Sequence, residues 1–260
     1  MATSTRKVSP IGRRPGVDPQ EWKVRTDLAA AYRVCAHLGW SELIYAHITA
    51  RVPGPEHHFL INPYGLRWNE VTASNLVKID VDGNPVQEQP HGANKAGFVI
   101  HSAIHMARED APWVFHTHTL AGMAVSTQQC GLLPIHMYSH NFHEALAYHD
   151  FEGPSMRLDE RDRLVKSLGR HHSMMLRNHG LLTVGGTVHA GFIRMWRLER
   201  ACQIQLAAQA GGPLVLPSAE VCRQSQEMGD EFLTDQAPLG RLEFEALLRE
   251  VESKDPSYKN

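Results

Sequence analysis

Short strand-like runs alternate with helical ones along nearly the whole chain, and no linker-like shift, internal repeat or low-complexity segment interrupts them. A chain patterned in this way buries one face of each helix against a sheet, which points to one mixed α/β domain. Residues 174–184 read as strand, tight turn, strand, with Asn178-His179-Gly180 at the corner, so the sheet is expected to be mainly antiparallel. At 260 residues the chain suits one large domain or two small ones, at roughly 100–200 residues per domain. A chain of this length buries about 70–75% of its unfolded surface and needs no metal to hold together. Any metal must therefore be explained by chemistry.

The first helix starts at Asp18-Pro19-Gln20-Glu21, where Asp18 can cap, Pro19 suits the first helical position and Glu21 completes a capping box. It stops at Gly39. Residues 43–52 then alternate, with Ile44, Ala46 and Ile48 on one face and Tyr45, His47 and Thr49 on the other. Further strands are predicted over 59–61, 76–81, 113–118 and 133–137, and residues 138–158 read as irregular. Helices are predicted over 94–108, 119–127, 158–170 and 187–210. Two more, within 218–251, would pack on this domain or on a neighbouring subunit.

Charge and cysteine usage narrow the function. Lys and Arg number 26 against 28 Asp and Glu, a net charge of −2 that excludes bulk phosphate binding and hence nucleic acid as a partner. The four cysteines form no CxxC pair and suit a reducing, cytoplasmic compartment. No apolar run approaches the ~18 residues that cross a bilayer, so no membrane partner is expected. Residues 1–17, with Arg6, Lys7, Arg13 and Arg14 and no acid before Asp18, read as a disordered tail.

The histidines stand out, seventeen in all. In a strand, His116 and His118 project from one face while Phe115 and Thr117 turn to the other. His179 sits at the glycine-flanked corner, where a side chain is held at a sheet end. Three neutral imidazoles on rigid elements make an open site for zinc, with manganese or iron(II) as other candidates. Spacing alone leaves a chance pair in a histidine-rich chain equally open.

Residues 97–126 (GFVIHSAIHMAREDAPWVFHTHTLAGMAVS) and the later MMLRNHGLLTVGGTV of residues 174–188 resemble the class II aldolase/adducin family. The resemblance implies a single three-layer α/β/α domain over residues 18–260 around a mainly antiparallel sheet, assembled as a homotetramer. It implies His116, His118 and His179 as metal ligands, commonly for zinc, and a small-molecule substrate. The sugar-phosphate enzymes of the family carry an acid on the helix before the HxH strand, and the matching position here is Gly97. Their phosphate positions correspond to Ala46-His47, Tyr64-Gly65 and Lys95-Ala96, of which only Gly65 fits. The missing acid places the chain nearer the adducin-like branch and leaves space over Gly97 for a substrate oxygen or water.

The acid or base must then come from elsewhere. His47 and His101 are the candidates, His101 lying one turn after Gly97, and the resemblance adds Tyr258 from a neighbouring subunit's C-terminal segment as a proton donor. Lys95, Gly65 and Gly97 are the candidate substrate contacts, and His47 with Lys95 would hold a carboxylate. The expected activity is that of a metal-dependent lyase, cleaving a carbon–carbon bond by an aldol or decarboxylative route through a stabilised enolate. The alternatives are a non-catalytic adducin-like assembly module and a metal oxygenase or epimerase on the same scaffold.

Overall fold

The computed structural model of the chain describes residues 16–87, 90–153, 158–234 and 238–260. The tail expected over residues 1–17 falls outside them except for Gly16 and Val17. Asp18 caps helix α1 (Pro19–His37) by accepting from the Gln20 and Glu21 amides. Glu21 does not complete the capping box. Its carboxylate takes Arg25 and Lys78, each at 2.8 Å, in a buried ion-pair group that ties α1 to the sheet.

The sheet has seven strands: β1 (His47–Arg51), β2 (Phe59–Ile61), β3 (Val77–Ile79), β4 (Trp113–Thr117), β5 (Leu146–His149), β6 (Ser173–Leu176) and β7 (Gly180–Gly185). Their order is β3-β2-β1-β4-β7-β6-β5. Every neighbouring pair is antiparallel except β5 and β6. Those two run parallel and are joined through α5 (Glu160–Leu168), the crossover that a parallel pair requires.

Helices cover both faces. On one, Ile100 and Ile104 of α2 (Lys95–Ala107) and Leu164 and Leu168 of α5 pack on Val114, Met174 and Leu182. Phe98 and Val99 of α2 extend that layer over Phe59 and Val77. On the other face, α1, α3 (Leu120–Ser126), α6 (Val188–Ala210) and α8 (Arg241–Lys254) send Leu28, Val125, Met195 and Phe244 against Ile48, Phe115 and Leu181. The result is the expected α/β/α arrangement of three layers. Of the C-terminal helices, α7 (Ala219–Thr234) packs on α4 (Met137–His140), and α8 on α1 and α6.

Strand β4 lies at the centre, buried on both sides. Full burial of Phe115 alone is worth roughly 1.5–3 kcal/mol, and its loss would unseat the strand that carries the HxH pair.

Three predicted segments differ. The first strand begins only at His47, because Leu43 and Ala46 hold positive φ (50° and 60°) and break the extended run. No strand forms over 133–137: the Leu133 amide goes to the Gln205 side chain at 2.7 Å instead of a ladder. The stretch expected to be irregular holds β5, whose side chains alternate between part-buried and buried beside β6. No described helix is long and apolar enough to cross a membrane.

Candidate metal centre

His116 stands inside the ladder of β4, paired with His47 of β1 on one side and Leu182 of β7 on the other. It is fully buried, and its Nδ1 lies 2.9 Å from the Leu181 carbonyl. A carbonyl only accepts, so Nδ1 carries the proton and Nε2 is left with its lone pair. His118 follows just past the strand end, with its Nε2 2.8 Å from that of His116.

His179 comes from the β6–β7 turn. Asn178 takes the left-handed conformation there (φ 56°), which Asn tolerates better than most residues. Gly180 matters more: a Cβ on it would run into the Thr117 carbonyl, so only glycine lets β7 begin this close to the end of β4. That approach sets the His179 ring 4.8 Å from His116 and 4.9 Å from His118, centroid to centroid.

One ligand nitrogen from each ring lies within 4.8 Å of the others. Among the described residues no other trio of His, Cys, Asp or Glu meets in this way. Burial pushes the His116 imidazole well below its ordinary pKa, helped by His118, His179 and His47 around it. His179 falls to about 4, first through burial and then through His118 and His149. Burial lowers the pKa of the His118 imidazole as well, so all three rings are neutral near pH 7, the form that binds metal. The His116 Nε2 lone pair facing another ring nitrogen at 2.8 Å is satisfied by a proton on His118 or by a shared cation. The donor set fits a divalent ion.

The three rings open into a pocket of about 440 Å³ whose walls include Tyr45, Tyr64 and Phe151. His118 also borders a second depression of about 480 Å³, where Glu199 lies buried and is held above its ordinary pKa by desolvation.

His47 lines the first pocket and reaches His101 of α2, Nδ1 to Nε2, at 2.9 Å. The expected space over Gly97 is absent. The His47 ring fills it, so that a Cβ on Gly97 would lie 2.7 Å from both Cγ and Nε2. The cause is the β1–β4 register: His47 is the cross-strand neighbour of His116, and its side chain projects under α2.

The remaining predicted residues are scattered. Lys95 opens α2 beside Asn94, which lines the pocket. Gly65 is exposed (φ 97°) next to Tyr64 and is not among the lining residues. Tyr258 is the clear correction. It is 2% exposed in the core between α1 and α8, on the opposite side of the sheet from His116, with its hydroxyl donating to Glu252. A tail tyrosine held this deep is unavailable to any pocket. Sequence reasoning missed Thr49 and His105, which continue the line from His101 at 2.6 and 2.7 Å. Their signals were the alternation in β1 and the four-residue spacing on α2.

The family described as Class II Aldolase and Adducin N-terminal domain matches residues 26–206. The chain belongs to this family. An aldolase II superfamily protein from Pseudomonas syringae is 49% identical, with 94% of this chain and 98% of that one covered and a TM-score of 0.89. L-fuculose 1-phosphate aldolase from Glaciozyma antarctica PI12 is 27% identical over 95% of this chain and 97% of its own, with a TM-score of 0.80. Alpha-adducin from Rattus norvegicus is 41% identical over 91% of this chain but only 34% of its own length. The class II aldolase fold thus accounts for the mixed sheet and its two helical layers, and the histidine cluster lies inside the matched range.

Proposed function

We propose that this class II aldolase family member is a divalent-metal-dependent lyase that breaks a carbon–carbon bond beside a carbonyl group in a small oxygenated substrate. The observation that carries this reading is the convergence of the His116, His118 and His179 nitrogens at the floor of an open pocket. Those three side chains would hold the ion, with zinc the first assignment from three neutral imidazoles. When bound, a divalent cation there supplies Lewis-acid polarisation of a carbonyl oxygen and leaves the centre positively charged.

The chain's own residues do the rest. The Leu181 carbonyl fixes the His116 tautomer. Tyr45, Tyr64 and Phe151 give the pocket apolar walls that displace water around the substrate. Gly97 brings no carboxylate, so the polar group on that side is His47. The family's oligomeric habit supports a homotetramer, and the isolated thiols support a cytoplasmic setting.

Elemental analysis of the purified protein tests the reading. About one divalent ion per chain is expected, lost in His118→Ala together with lyase turnover. Full metal content in that variant, or full turnover without metal, overturns it. The similarity to alpha-adducin favours a second reading, a non-catalytic assembly module. That reading predicts wild-type protein that self-associates equally well with and without metal.

A further inference from the structure

A line of four side chains runs from the pocket to the backbone between α2 and β4, and its hydrogen bonds have only one self-consistent direction. It ends at the Ala111 carbonyl, 3.2 Å from His105 Nδ1. A carbonyl cannot donate, so His105 Nδ1 carries the proton. His105 is neutral, because burial and then the Arg51 charge bring its pKa down to about 3. A neutral imidazole has one N–H, so its Nε2 accepts from the Thr49 hydroxyl at 2.7 Å. That hydroxyl has spent its one proton and must accept from His101 Nδ1 at 2.6 Å. His101 Nε2 is then bare and accepts from His47 Nδ1 at 2.9 Å. The proton of His47 is thus committed to Nδ1, and its Nε2 keeps a lone pair. Nε2 lies over Gly97 beside the metal centre, and no polar group of the described residues hydrogen-bonds to it.

We infer that His47 is a substrate-contacting hydrogen-bond acceptor, locked in one tautomer by His101, Thr49, His105 and the Ala111 carbonyl, and that it selects a substrate hydroxyl over a carboxylate or phosphate oxygen at this position. A lone pair facing an anionic oxygen leaves both groups unsatisfied, and a site built around one polar partner rejects ligands that lack it. Thr49, His101 and His105 are positioning residues, acting only through His47. The inference rests on the proposed function solely in taking the pocket as a substrate site.

The test uses metal-free, full-length protein with 15N-labelled histidine, so its outcome is independent of whether the chain binds metal or cleaves anything. Long-range 1H–15N correlation reports which ring nitrogen is protonated, and the His47 signals are identified by their loss in His47→Gln. Wild type should show His47 as a single tautomer with the proton on Nδ1. Thr49→Ser should retain it, and Thr49→Val should give a mixture. Glycerol, as a hydroxyl donor, should shift the His47 Nε2 signal at concentrations about tenfold below those at which acetate does. A wild-type spectrum with the proton on Nε2, or with mixed tautomers, overturns the inference without recourse to any variant. So does a Thr49→Val spectrum identical to wild type, or a preference for acetate.

Discussion

Gly97→Ala separates a packed glycine from an open one. In a helix interior this change normally stabilises by about 1 kcal/mol, since alanine is the better helix former. Here the added methyl would meet a ring that is 3% exposed and already tied to His101, with Cγ and Nε2 at 2.7 Å from the new carbon. Contact at that range forces the imidazole away. Overpacking of this kind costs about 1–3 kcal/mol, and breaking the His47–His101 bond inside the core adds about 1–3 kcal/mol more. After crediting helix propensity, the net is a loss of about 1–5 kcal/mol. At about 2–4 °C per kcal/mol for a chain of this size, the thermal midpoint should drop by several degrees. Urea and thermal unfolding of the metal-free protein measure it, in a cycle with His47→Ala. In that second background the obstruction is gone, and the alanine should be neutral or stabilising. A Gly97→Ala protein as stable as wild type, or a penalty that persists without His47, would refute the packing argument.

Two further outcomes follow from groups already described. His47 and His101 are held well below the ordinary histidine pKa, and His105 is held at about 3, in each case first by burial. They stay neutral in the fold while the unfolded chain takes up protons near pH 6.5, so stability is full above that pH. As pH falls below it, each group should cost about 1.4 kcal/mol per pH unit, for His105 until about pH 3. A urea midpoint that stays flat from pH 7.5 to 5 would contradict this. Tyr258→Phe removes a buried hydroxyl from Glu252 and should lower stability by about 1 kcal/mol with metal content unchanged, as unfolding and elemental analysis would show. Loss of lyase turnover with metal retained would return Tyr258 to the site.

Local patterns foretold most of the elements, and, apart from the early start given to β1, the errors came where partners lie far off in sequence. The two-residue period placed His116 and His118 on one face, and the corner at Asn178-His179-Gly180 proved to be the β6–β7 turn. β5 was missed because Leu146 to His149 reads as a strand only beside β6, with which it pairs in parallel. Residues 133–137 look extended, but a glutamine on α6 takes the amide that a ladder would need. Gly97 shows the same limit at the site. A glycine reads as a vacancy until the β1–β4 register is known, and that register makes His47 the neighbour of His116. Tyr258 was misplaced because a resemblance carries a residue type more readily than its depth. Asp255 and Ser257 both engage Arg33, and this docks the final turn on α1.

The three proposed ligands differ in how the chain grips them. His116 belongs to a strand laced on both edges and is tethered again through Nδ1, whereas His118 lies one residue beyond the ladder and His179 rides a three-residue turn. Such a tripod has one fixed leg and two adjustable ones. Ions of unequal radius would be met by swinging His118 and His179 while His116 stays still, so exchanging one cation for another would tune the centre without disturbing the architecture behind it.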